Sequence, residues 1–165
     1  INKKLGGYTF DLKNQSKEWL TKTLTSLFRN DKKLLERVSK YQYALDVNLF
    51  YHLLKKGKGF YFTKIMGFYR IHEGGINSME EEKNKYLSAY NVYKELYLNN
   101  KDKFTRLRYI RASMKLFNYY TYTGYREVNM KERWLYLFRV IPIIRTFDDL
   151  KMLLYLLFPA NKLFR

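Results

Sequence analysis

Apolar and polar positions change rhythm once along the chain, at about Ser78. Before that point short mixed segments alternate with glycine turns; after it, apolar positions recur at helical spacing almost to the end. In the first part, WLTKTLTSLF (Trp19 to Phe28) is rich in Thr, Leu and Phe and alternates, which predicts a strand. A turn or short helix should follow, opening at Asn30 or Asp31, both good N-caps. Leu45, Leu49, Phe50, Leu53 and Leu54 then fall at helical spacing, lysines fill the last turn, and Gly57 offers a stop. Phe60 to Ile71 reads as one or two short strands, interrupted near Gly67.

Beyond Ser78 the spacing predicts four helices. SMEE, Ser78 to Glu81, has capping-box spacing, with acids crowding the first turn. Tyr86, Tyr90, Tyr93 and Tyr97 line one face until Asn99 and Asn100 break it. Leu107, Ile110, Met114 and Phe117 mark the second helix, ending before Gly124. Met130 to Ile141 forms the third, with Trp134, Leu137, Phe138 and Ile141 inward and Pro142 closing it. TFDD, Thr146 to Asp149, opens the fourth, which stops at Pro159. The expected architecture is α+β: a few short strands and one helix over residues 1–78, then a mainly helical region over residues 79–165.

Composition narrows the classes. Aromatic residues make up 19% of the chain, with 17 Tyr and 12 Phe, enough apolar area to argue against disorder. The absence of cysteine excludes a disulfide scaffold, thiolate metal sites and a cysteine nucleophile. The longest apolar run, Met152 to Phe158, is shorter than the ~20 residues a membrane-spanning helix requires. A formal charge of +17 favours polyanionic partners such as nucleic acid, anionic headgroups or phosphorylated molecules. The excess spans both halves: 18 basic and 10 acidic residues over 1–98, 14 and 5 over 99–165. Its densest stretch, Lys101 to Lys115, reads as the solvated face of a helix.

Walker-type, dinucleotide, H-E-x-x-H and G-x-S-x-G motifs are all missing. His52, at the edge of the apolar face of its helix, reads as structural or superficial. Asp46 opens that helix, where free amides and the dipole favour a carboxylate. It is a helix cap or a general base facing a cleft. His72 follows a strand-like run and precedes Glu73-Gly74-Gly75, a setting that suits either a polar turn or a site. Imidazole suits a divalent metal, and Arg70 beside it suits phosphate oxygens.

Three stretches in this order and spacing carry a resemblance: LTSLFRN (Leu24 to Asn30), ALDVNLFYHLLKKGKGFYF (Ala44 to Phe62) and MGFYRIHEGGINS (Met66 to Ser78). Together they resemble the acceptor-side, C-terminal portion of a bacterial family 2 glycosyltransferase, over about residues 20 to 80. The Tyr-Arg-Ile-His-Glu-Gly-Gly string is the most specific part. The resemblance implies part of an α/β nucleotide-diphospho-sugar transferase domain, with residues 79–165 as its helical appendage. It implies Asp46 as catalytic base, with Leu45 where the first acid of the usual pair would stand. It implies Tyr69 and Arg70 at the substrate diphosphate or closing loop, and His72 as ligand to a divalent ion, Mg2+ or Mn2+.

The implied reaction is inverting transfer from a nucleotide-sugar donor to a glycan or lipid-linked acceptor in surface polysaccharide synthesis. It would take place in the cytoplasm, peripherally at the inner face of the cell membrane. No Asp-x-Asp occurs in the chain, which begins at Ile1. The 165 residues are therefore expected to be part of a longer enzyme, to bind the metal only together with its N-terminal half, and to be inactive alone. The competing expectation is a basic helical module that binds nucleic acid or anionic membrane without catalysis. Nucleic acid is disfavoured, because no recognised motif is present and the basic excess is not confined to one face.

Overall fold

The computed structural model describes residues 6–17, 26–43, 46–65, 81–122 and 130–157. The described residues are mostly helical (71%), with one small antiparallel sheet among them, an α+β arrangement. The chain divides into two compact units, Ile1–Met79 and Glu80–Arg165.

In the first unit, strands β1 (Gly7–Phe10) and β2 (Gly59–Phe62) pair antiparallel, with Gly7 opposite Phe62 and Phe10 opposite Gly59. Tyr8 and Tyr61 stack across the ladder with ring centroids 5.2 Å apart. Gly59 has a steric role: a Cβ there would meet the Phe10 ring at 2.3 Å, so bare backbone lets that buried ring lie over the strand. Gly6 adopts φ +62, and its carbonyl accepts from both the amide and the hydroxyl of Thr63, tying off the ribbon.

Among the described residues three helices complete this unit: the one expected from its apolar spacing, a second where a turn or short helix was expected after Asn30 or Asp31, and a third that was not expected. Helix α1 (Leu12–Lys17) opens on a reciprocal box: Asn14 N donates to Asp11 Oδ1, and Asp11 N donates to Asn14 Oδ1, each at 3.0 Å. Asp31 caps α2 (Lys32–Val38) by accepting from Leu34 N at 3.0 Å, as expected of that residue. Helix α3 (Asp46–Lys56) packs against α1 and α2 and ends at Gly57, whose amide donates to Leu53 O. Of the strand expected over Trp19 to Phe28, residues 26–28 are in no regular element, and the remainder lies outside the described residues. Gly67 and the Ser78 capping position also lie outside them.

The second unit is helical. Helix α4 (Glu82–Asn100) begins after Glu81, which makes no side-chain cap bond. It ends at Lys101, the one non-glycine residue at positive φ among the described residues. Asn99 and Asn100 donate back to the carbonyls of Glu95 and Leu96, which explains how they close the helix. Asp102 then caps α5 (Lys103–Tyr122) through Thr105 N at 2.9 Å. The two-residue link folds α5 back along α4, and the expected tyrosine stripe meets it: Tyr97 stacks on Tyr109, and Tyr86 contacts Tyr119.

Helix α6 (Met130–Val140), a 3-10 turn (Ile141–Ile143) and helix α7 (Phe147–Leu157) follow, and both α-helices pack on α5. Core residues include Ile110, Met114, Phe117, Leu137, Val140 and Leu153. The inward set expected for α6 is thus corrected. Leu137 is inside, but Phe138 is 61% and Ile141 47% exposed, Trp134 is partly exposed, and Val140 takes the inner place. The apolar residues of this helix outnumber the positions α5 can cover. Among the described residues no helix is long and apolar enough to cross a membrane.

Asp149 locks α7 in place. Its Oδ2 accepts from the amides of Arg145 and Thr146 and from Arg106 Nε on α5, each at 2.9 Å. Thr146 Oγ1 accepts in return from Asp149 N, completing a capping box. Burial alone would raise the pKa of Asp149. The amides, the Thr146 hydroxyl and the Arg106 guanidinium outweigh it and hold the carboxyl below the usual range. The stability it contributes is therefore present above the unfolded carboxylate pKa of about 4 and is lost as pH falls through the lower folded value. Asp149→Ala, which leaves Arg106 buried without its carboxylate, should cost about 3–5 kcal/mol at neutral pH. Urea unfolding followed by Trp134 fluorescence in a Trp19→Phe background measures this. The deficit should shrink in acid, and a neutral-pH midpoint equal to wild type would contradict it.

Candidate functional site

The candidate site is built from α3 outward. Asp46 is its first residue, half-buried, at the end where unpaired amides and the helix dipole favour negative charge. The helix beneath it is held on several sides. Phe50, Tyr51 and Leu54 are buried. Asn48, fully buried, donates Nδ2 to Tyr43 O at 3.0 Å, fastening the chain that leads into the helix. His52 Nε2 and the Tyr41 hydroxyl share a 2.8 Å hydrogen bond, and the imidazole lies edge-on to Tyr51 with centroids 4.9 Å apart. At the far end Lys56 pairs with Asp31, the cap of α2. Lys56 and the hydrogen bond donated by the Leu34 amide hold the Asp31 carboxyl below its ordinary range.

His52 is therefore a structural histidine, one of the two roles expected for it, and it presents no open nitrogen on the Tyr41 side. Asp46 stands at the helix start, as its position in the sequence led one to expect. Tyr69, Arg70 and His72 lie outside the described residues. Among the described residues no group of three or more His, Asp or Glu side chains could hold a metal ion. Sequence reasoning missed Tyr41, Tyr43 and Asn48, whose bonds fix the helix that Asp46 opens. The available signal was an asparagine set among apolar positions of a helix, which needs a partner once buried.

In the second unit the basic stretch Lys101 to Lys115 is the expected solvated face only in part: Lys101, Lys103 and Lys115 are exposed. Arg106 is buried against Asp149. Arg108 lies half-buried, its guanidinium 5.6 Å from the Phe104 ring and 5.8 Å from that of Tyr93. Burial lowers its pKa from the ordinary guanidinium value, and neighbouring Arg111 adds to the effect. The most basic segment thus spends two of its cations on internal packing. Elsewhere in the unit, Tyr90 accepts from Arg139 Nη1 at 3.0 Å, and burial with the Tyr90 hydroxyl pushes the Tyr109 phenol up, keeping it protonated.

Compared with family models, with curated proteins and with solved structures, the chain matches none.

Tyr41→Phe leaves His52 without its hydroxyl partner inside the first unit and should cost about 1–3 kcal/mol. Thermal unfolding followed by circular dichroism measures this, and an unchanged midpoint would show that the bond contributes nothing.

Proposed function

We propose that the chain is the acceptor-side part of a family 2-type glycosyltransferase. It would serve inverting transfer of a sugar from a nucleotide-diphosphate donor to a glycan or lipid-linked acceptor in bacterial surface polysaccharide synthesis. The observation that carries this reading is Asp46 at the first turn of α3, followed at the family's spacing by the Gly-Lys turn, β2 and the Tyr-Arg-Ile-His string. The finer fold assignment, part of a nucleotide-diphospho-sugar transferase domain, belongs to the same proposal.

In this reading Asp46 accepts the proton of the acceptor hydroxyl as that oxygen attacks the anomeric carbon and the bond to the diphosphate breaks. Tyr69 and Arg70 hold the diphosphate side of the substrate, where the guanidinium opposes the growing negative charge. A divalent ion would supply Lewis-acid stabilisation of the leaving diphosphate. The described residues offer no ligand set that fits such an ion by themselves, and His52 is engaged with Tyr41. Such an ion would take His72 together with ligands outside these 165 residues. The nucleotide-binding half and donor selectivity are likewise assigned outside the chain, so the isolated chain turns over no nucleotide sugar. The place of action is the cytoplasmic side of the membrane, where lipid-linked acceptors are met.

Asp46→Asn keeps the shape but removes the base. In the complete transferase it should lower the transfer rate by at least about a hundredfold with melting unchanged. A wild-type rate would end the assignment.

A further inference from the structure

The second unit leaves two apolar stripes uncovered. On α7, Asp149 and Leu153 are buried, while Phe147, Leu150, Leu154 and Tyr155 stand exposed; Phe147 is 77% and Tyr155 68% accessible. On α6, Leu137 and Val140 are buried while Leu135, Phe138 and Ile141 are exposed. Trp134 connects core to stripe: its ring meets Phe117 edge-on at 5.7 Å and stacks on Phe138 at 6.1 Å. Single exposed apolar residues are ordinary. Successive turns of two consecutive helices exposing Phe, Leu, Ile and Tyr mark a surface with a partner.

Charge selects the partner. Arg145 and Lys151 are exposed at the start and middle of the α7 stripe, and Arg139 is exposed on α6. The acids of α7 are engaged, Asp148 with Lys103 at 2.7 Å and Asp149 with Arg106. A second copy of the chain carries the same +17 and is repelled. Nucleic acid matches the charge but leaves the apolar stripes unexplained. A lipid surface with anionic headgroups answers both, since helices with aromatic and leucine residues outward and cations at the border lie in the membrane–water interface. Neither helix has to span the bilayer for this, and none of the described helices can.

We propose that the second unit docks on an anionic lipid surface, with the outer stripes of α6 and α7 set among the headgroups and Arg145 and Lys151 against the lipid phosphates. The docking stands on this surface alone; its use, presenting a transferase to a lipid-linked acceptor, rests on the function proposed above.

The test sediments the full 165-residue chain with phosphatidylcholine vesicles, with and without phosphatidylglycerol, at low salt. Binding is expected on the phosphatidylglycerol vesicles and weakly or not at all on phosphatidylcholine alone. The double change Phe147→Ser and Leu154→Ser should lower partition by at least about tenfold, and Lys151→Gln by about fivefold. These side chains are exposed, so melting should stay at the wild-type value. In a Trp19→Phe chain, brominated lipid should quench Trp134.

The proposal is overturned by absence of binding. It is overturned equally by salt-sensitive binding that the serine changes leave intact, which would be attraction to any polyanion, RNA included. Self-association that the serine changes abolish, without lipid binding, would assign the stripes to a second copy and also overturn it. None of these readouts involves sugar transfer. A chain that ignores vesicles yet belongs to an enzyme silenced by Asp46→Asn loses the docking alone, and the reverse result loses the transferase reading alone.

Discussion

The second unit is organised around one buried ion pair. Arg106 and Asp149 lie 43 residues apart in sequence, and both side chains are buried, that of Asp149 completely. A charge in that position is tolerated only with its partner and its hydrogen bonds in place. Three donors converge on one carboxylate oxygen, two of them backbone amides of the helix start, so the pair fixes both the location of α7 and its rotation about its own axis. With Asp149 inward, Leu153 one turn later is inward as well, and Phe147, Leu150 and Leu154 are committed to the outside. The exposed stripe on which the lipid-docking proposal rests is thus a consequence of where one carboxylate has to be.

A parallel logic holds in the first unit, with neutral polar bonds in place of ions. Helix α3 buries Asn48 and His52 together with Phe50, Tyr51 and Leu54; Asn48 Nδ2 donates to Tyr43 O, and His52 Nε2 shares a hydrogen bond with Tyr41 OH. Those bonds hold residues just before the helix against its body, and Asp46 lies between the two anchored segments. A general base must sit within hydrogen-bond reach of the proton it takes, so a fixed helix start serves that role better than a mobile loop.

Local chemistry was legible in the sequence wherever a signal and its consequence lie within one turn. Asp31 as a cap, Gly57 as a stop, the Asn99-Asn100 break and the start at Thr146 each rest on bonds spanning three or four residues. Long-range pairing was not legible. Gly7–Phe10 becomes a strand because Gly59–Phe62 lies beside it, and nothing in GYTF announces that partner. Arg106 looked like one more surface cation, because its carboxylate lies on another helix. Helix α6 carries Trp134, Leu135, Leu137, Phe138 and Val140 within seven residues, so periodicity shows that it is apolar without saying which side α5 covers. Of the candidate site, the position of Asp46 at a helix start was readable; Tyr69, Arg70 and His72 fall outside the described residues.

The central claim is that Asp46 supplies the carboxylate that takes the acceptor proton, and chemical rescue tests it most directly. In the complete enzyme proposed above, Asp46→Ala opens room for a small external carboxylate at the helix start. Transfer by that variant, measured with increasing formate, should rise from near zero in proportion to formate while the wild-type rate stays flat. Transfer by Asp46→Ala at the wild-type rate without formate would contradict the account.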